Sequence, residues 1–129
     1  RIDQLIHRKR YFLQRYKENL VDIDDLQFNM DTDDMVNGVW VTTLVFGKSH
    51  EMKKLDAIEK LAELGVPARP FFYPLSSLPA YEYYGTGSKD ENPNAYDVSK
   101  RGITLACHYN LTDEQIDFIC DGIRKILYH

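Results

Sequence analysis

Two cysteines, four histidines and one tryptophan are all that the 129 residues offer of the rarer side chains. Cys107 and Cys120 are separated by twelve residues with no CxxC spacing, and His7, His50, His108 and His129 are scattered. Zinc ligands come in close pairs, so no metal site is expected, and Cys120 reads as a core residue on an apolar helical stripe. Long apolar runs are missing too. The longest, Val39 to Phe46 (VWVTTLVF), is far short of the ~20 residues that a membrane span needs. With no basic flank and apolar segment opening the chain, neither signal peptide nor membrane helix is expected, and a soluble cytoplasmic protein follows. Nucleophile motifs and paired carboxylates are equally lacking, and Gly85 with Gly87 makes only a lone GxG that we read as a surface loop.

What is present suits one domain over residues 1–129: 43% hydrophobic and 28% charged residues, and a length at which about two thirds of the unfolded surface can be buried. The net charge of -4 conceals a segregation. Residues 1–20 carry six basic and two acidic residues, and residues 22–34 carry six aspartates and no base. The acidic stretch argues against a nucleic-acid footprint. It is no calcium loop, since the sixth position from Asp22 is Gln27 rather than glycine. We read it as a solvated acidic loop beside a basic helix face.

Ile2, Leu5, Phe12, Leu13, Tyr16 and Leu20 recur at helical spacing, but no Ser, Thr, Asp or Asn precedes them as a cap. We therefore expect the helix to belong to a longer one and the chain to be a piece of a larger protein. Val39 to Phe46 suits an internal strand. Ser49 is expected to cap a helix that turns Met52, Leu55, Ile58, Leu61 and Leu64 to the core and stops at Gly65. Val66 to Tyr73 should be an edge strand or irregular ribbon, because Pro67 and Pro70 lack a donor. A short helix from an Asn94 cap through Lys100, a strand over Gly102 to Cys107 and a final helix opened by a Thr112/Gln115 capping box complete the order. The final helix carries the stripe Ile116, Ile119, Cys120, Ile123, Ile126 and Leu127, and the capping box accounts for the Asn110–Thr112 sequon. The fold class is α+β, a small, mostly antiparallel sheet packed on helices.

The stretch VPARPFFYPLSSLPAYEYYG, residues 66–85, holds four of the five prolines and six of the fifteen phenylalanine and tyrosine rings around one cation, Arg69. Stiff backbone, a planar guanidinium and the rings of Phe71, Phe72, Tyr73, Tyr81, Tyr83 and Tyr84 would suit a ligand with an anionic group and a flat or sugar ring. Read from composition alone, the stretch is first an ordinary core ribbon with Arg69 in a structural ion pair. Every lysine falls on an expected helix face or in a loop among polar residues, so none is expected to be desolvated.

The opening RIDQLIHRKRYFLQRYKENL, the ribbon GVPARPFFYPLSSLPAYE and the close AYDVSKRGITLACHYNLTDEQIDFICDGIRKIL together resemble the C-terminal small domain of the DegT/DnrJ/EryC1/StrS family. These are pyridoxal-phosphate-dependent sugar aminotransferases of fold type I, and the resemblance runs from about residue 1 to 127. RPFFYPLSSLP is nearest to members that aminate C4 of a GDP-linked 4-keto-6-deoxymannose. The resemblance implies a homodimer that takes a nucleotide sugar and an amino donor, glutamate, for surface polysaccharide, with pyridoxal phosphate held by a large domain upstream of these residues. It assigns no catalytic residue to this chain, which alone should be inactive. It places Arg69, Phe71 and Tyr73 at the substrate rim, Arg69 facing a diphosphate or carboxylate. Ser76 and Ser77 stand where many members carry a histidine after the proline-leucine pair, so that histidine's role does not transfer. Ala106 replaces a common proline, and His108 beside it is a structural or interface histidine. A free-standing small-molecule or regulatory module of α+β type is the alternative, and a nucleic-acid binder ranks last.

Overall fold

Apolar spacing and proline placement between them determine where this chain is regular. The structure is a computed structural model that describes residues 1–84 and 87–128, the side chains of residues 82–84 excepted. Tyr83, Tyr84, Gly85 and His129, which figured above, lie outside the described residues or side chains. Among the described residues, four α-helices, α1 (Ile2–Asn19), α2 (Lys54–Glu63), α3 (Pro93–Arg101) and α4 (Asp113–Tyr128), accompany four strands, β1 (Leu26–Phe28), β2 (Thr42–Phe46), β3 (Arg69–Pro70) and β4 (Gly102–Leu105). The sheet is antiparallel throughout in the order β1-β2-β4-β3, which confirms the α+β class.

Alternation places Leu44 and Phe46 of β2 with Ile103 and Leu105 of β4 in one core with Phe12, Tyr16, Leu61 and the Ile116, Ile119, Ile123 stripe of α4. The capping box forms as expected: Thr112 Oγ1 accepts from the Gln115 amide at 3.2 Å, and Gln115 Oε1 accepts from the Thr112 amide at 3.0 Å. Helix α2 ends in a Schellman turn in which Gly65 takes φ +76° and the Val66 amide donates to Leu61 O at 2.9 Å. Helices α1 and α4 are tied by Arg15 to Asp117 at 2.9 Å and by the Tyr11 hydroxyl to Asp113 at 2.8 Å, and Arg124 of α4 pairs with Asp22 just beyond α1.

Several expectations need correction. Part of the acidic stretch, Leu26–Phe28, is strand β1 and pairs with β2 through Leu26 opposite Phe46. Ser49 caps no helix. It sits in a 3₁₀ turn over Lys48–His50, its hydroxyl goes to Asp25, and α2 begins only at Lys54. Of the residues expected on its core face, Leu55 and Leu64 face solvent, Leu61 is buried and Ile58 is partly so, while Ala57 is buried beside them. Strand β2 starts at Thr42 because Val39 takes φ +49° and turns the chain. Helix α3 starts at Pro93, preceded by Asn92 rather than Asn94, with no side-chain cap. Ile2 is exposed.

The basic face of α1 is engaged within the fold. Arg8 donates to Leu111 O at 2.9 Å, Lys9 to Trp40 O at 3.1 Å, Arg10 pairs with Asp31 and Arg15 with Asp117. No helix of the described residues is long and apolar enough to cross a membrane, and no described group of three or more His, Cys, Asp or Glu gathers as a metal site.

Burial pushes the Cys120 thiol up to about 12 and raises the Tyr16 phenol as well. The folded chain thus keeps protons that the unfolded chain loses, the thiol near about 8.5 and the phenol near about 10. Their stabilisation is complete below those values and is lost as pH climbs toward the folded ones. Cys120→Ala is expected to lose less stability than the parent between about pH 8.5 and 11 in urea titrations; equal slopes would contradict this burial effect.

Candidate functional site

The proline-broken ribbon leaves the sheet as its composition requires. Arg69 pairs with Thr104 and Pro70 with Ile103, and the Phe71 amide donates to Gly102 O at 3.0 Å. Gly102 permits this crossing, because a Cβ there would lie 2.8 Å from Phe71 Cβ. Beyond Phe71 the ribbon has no strand neighbour, so its carbonyls need other donors.

Lys54 and Ser99 supply them. Lys54 Nζ donates to Phe71 O at 3.2 Å and to Ser99 Oγ at 3.1 Å, and Ser99 passes its own hydrogen to Phe72 O at 2.8 Å. The third face of the ammonium meets the Tyr73 ring, whose centroid lies 3.7 Å away. All three ammonium hydrogens are thereby directed at ribbon or helix groups. The residue is 6% exposed, and desolvation lowers its pKa below the usual lysine value. This overturns the expectation that no lysine is desolvated.

Lys54 also stands in the first turn of α2, where the helix dipole disfavours a cation. A residue that breaks two local rules, burial of charge and dipole sign, is one whose tertiary contacts outweigh both. Here the contacts are the two consecutive ribbon carbonyls, one reached directly and one through Ser99, and the ring that follows them.

Of the three residues assigned to the rim, Arg69 is exposed, with no ion pair among the described residues. Phe71 is half-buried and Tyr73 is 51% exposed. Phe72 and Tyr81 are exposed as well, so the ribbon is not simply core. Below it, Pro74, Leu75, Ser76, Tyr81 and Asn92 line a cleft of about 660 Å³, where the Ser76 and Tyr96 hydroxyls share a hydrogen bond of 3.0 Å. His108 is exposed.

Sequence reasoning missed Lys54, Ser99 and Trp40. Trp40 stacks on Phe72 with a centroid separation of 5.8 Å and an angle of 7° between planes. A dipole-violating lysine at a helix start was visible only once that start was known.

The arrangement is a surface of exposed rings and one exposed guanidinium on a rigidly held ribbon, suited to grip an anionic ligand with a flat ring. The chain is 28% identical over 125 residues to the GDP-perosamine synthase of Vibrio cholerae, covering 97% of this chain and 33% of that protein. It is 30% identical over 124 residues to the GDP-perosamine synthase of Escherichia coli O157:H7, covering 95% and 32% respectively. Among solved structures, the aminotransferase TlmJ from Streptoalloteichus hindustanus matches with TM-score 0.76 at 19% identity, over 95% of this chain and 32% of that one. PseC from Helicobacter pylori, an aminotransferase involved in the biosynthesis of pseudoaminic acid, matches with TM-score 0.78 at 17% identity, over 95% and 33%. The chain thus spans about a third of the length of these relatives. Residues 1–124 match one family throughout, and with the fold in agreement the chain belongs to the DegT/DnrJ/EryC1/StrS aminotransferase family.

Proposed function

We propose that the chain is the C-terminal small domain of a pyridoxal-phosphate-dependent sugar-nucleotide aminotransferase that transfers the amino group of glutamate to C4 of GDP-4-keto-6-deoxymannose for surface polysaccharide. The observation that carries this reading is the similarity to two GDP-perosamine synthases over 95% or more of the chain. On this reading the whole protein is a cytoplasmic homodimer, and residues 1–129 form a single small domain that closes over a cofactor held elsewhere.

The described residues do not themselves fit pyridoxal phosphate. A cofactor aldehyde needs an amine with a free lone pair and room beside it. Lys54, the one buried lysine among the described residues, has its ammonium enclosed by Phe71 O, Ser99 Oγ and the Tyr73 ring. The other lysines are exposed or half-buried. The reading therefore places the anchoring lysine in the part of the protein that this chain does not span.

This chain's contribution is the rim. Arg69 offers its fork to the diphosphate of the sugar nucleotide or to the carboxylate of the amino donor, and Phe71 and Tyr73 flank it on the ribbon. Loss of such a charged contact at a partly desolvated site removes about 2 kcal/mol or more. In the full-length protein, Arg69→Ala is expected to lower kcat/KM for one of the two substrates about thirtyfold. Unchanged kcat/KM for both substrates would remove Arg69 from the site.

A further inference from the structure

We propose that Trp40 and Phe72 form a stacking platform for the nucleobase of a nucleoside-diphosphate ligand, an inference that rests on the sugar-nucleotide reading above and assigns the part of the ligand that these rings hold. Three observations carry it.

The first is exposure. Trp40 is 71% exposed and Phe72 59% exposed, although they lie against each other. Rings placed for stability are buried, because their large apolar faces dominate core energetics. Parallel planes with centroids 5.8 Å apart overlap only in part, so each ring keeps open face on which a third flat ring can continue the stack.

The second is strain. Val39, immediately before Trp40, has φ +49°, a left-handed conformation that a β-branched residue adopts only at a cost of about 1–3 kcal/mol. It is held there by burial, at 1% exposure, and by its amide, which donates to Asn37 Oδ1 at 2.8 Å. The turn sends Val39 inward and Trp40 outward. The same strained turn that buries Val39 therefore presents the Trp40 ring to solvent.

The third is rigidity. The Trp40 carbonyl accepts from Lys9 Nζ at 3.1 Å, and the Phe72 carbonyl accepts from Ser99 at 2.8 Å. Both rings therefore project from pinned backbone while their faces remain open, which reduces the ordering cost of binding. A base stacks on aromatic side chains whatever its identity, and the Arg69 guanidinium, exposed on the same ribbon as Phe72, supplies the charge that a diphosphate would need.

The test uses the full-length protein, with calorimetric affinities for GDP and for inorganic pyrophosphate in the parent, Trp40→Leu and Phe72→Leu. GDP is expected to bind more tightly than pyrophosphate, and Trp40→Leu to weaken GDP about tenfold or more while leaving pyrophosphate and Tm unchanged. Phe72→Leu should do the same in smaller measure. The proposal is overturned if the parent binds GDP no better than pyrophosphate, if GDP affinity survives Trp40→Leu, or if both ligands weaken together. It is also overturned if GDP is unaffected and only the KM of the keto-sugar substrate rises, which would give the rings to the hexose. The sugar-nucleotide reading fails on a separate result, the absence of amino transfer from glutamate to GDP-4-keto-6-deoxymannose by the parent protein.

Discussion

Incubated with pyridoxal phosphate, glutamate and GDP-4-keto-6-deoxymannose, the 129-residue chain alone is expected to yield no 4-amino sugar above the protein-free rate. Enzymes accelerate such reactions by about 10⁶-fold or more, and the whole of that factor should be missing. The physical reason is the state of the lysines. Covalent catalysis on a carbonyl cofactor needs an amine that is both deprotonated and reachable. Lys54 is desolvated, which favours the neutral amine, but its nitrogen is closed in by Phe71, Ser99 and Tyr73. The remaining described lysines are exposed or half-buried, and none of them is buried as Lys54 is. Product formation can be followed by chromatography over many equivalents of the chain. Catalytic turnover, with more than one product per chain, would refute the assignment of the chemistry to a different part of the protein.

Lys54→Met should loosen the ribbon at nearly constant side-chain volume. Two hydrogen bonds from a cation and a ring contact disappear, leaving the Phe71 carbonyl and the buried Ser99 hydroxyl short of a partner, while the desolvation cost of the ammonium is relieved. The net loss is expected to be about 2 kcal/mol in urea titrations, with faster hydrogen exchange at the Phe71 amide. Because Lys54 and Ser99 act as one unit, the double variant with Ser99→Ala should cost less than the sum of the two singles. The pH dependence has a definite sign. A lysine whose folded pKa is depressed binds its proton less well when folded, so its contribution to stability rises with pH between the depressed value and the unfolded one near about 10.4. The parent minus variant difference in stability should grow over that window. A Met variant as stable as the parent, with unchanged exchange at Phe71, would show that something other than this clamp holds the ribbon.

Periodicity and local chemistry made much of this fold legible. The apolar stripe of α4, its Thr112/Gln115 box, the Gly65 stop and the broken edge at Pro67 and Pro70 all follow from residues within one or two turns of each other. What escaped depends on partners far away in the chain. Ser49 looks like a helix cap until Asp25, 24 residues earlier, takes its hydroxyl. Leu26–Phe28 looks like acidic loop until β2 offers it a pairing edge, since three residues are too few to show alternation. Lys54 and Ser99, 45 residues apart, meet beneath the ribbon only when α2 and α3 have docked. Arg69, Phe71 and Tyr73 are proposed as rim residues from composition and resemblance, whereas Lys54, which holds the ribbon that carries them, escapes the sequence, because burial of a single lysine leaves no trace in its flanking residues.

The ties between α1 and α4 set a condition on how the molecule reaches its native state. Arg15 and Asp117 are 102 residues apart, and Phe12 and Tyr16 share one core with Ile116 and Ile119. Closing a loop of that length costs about 4 kcal/mol of chain entropy before either helix gains its packing partner. Helix α1 is thus among the last elements of this chain to be buried, and on the ribosome its apolar stripe stays open until α4 has emerged. Contacts this distant slow folding, and they place the vulnerable interval between the synthesis of α1 and that of α4, while the interior still lacks its closing side.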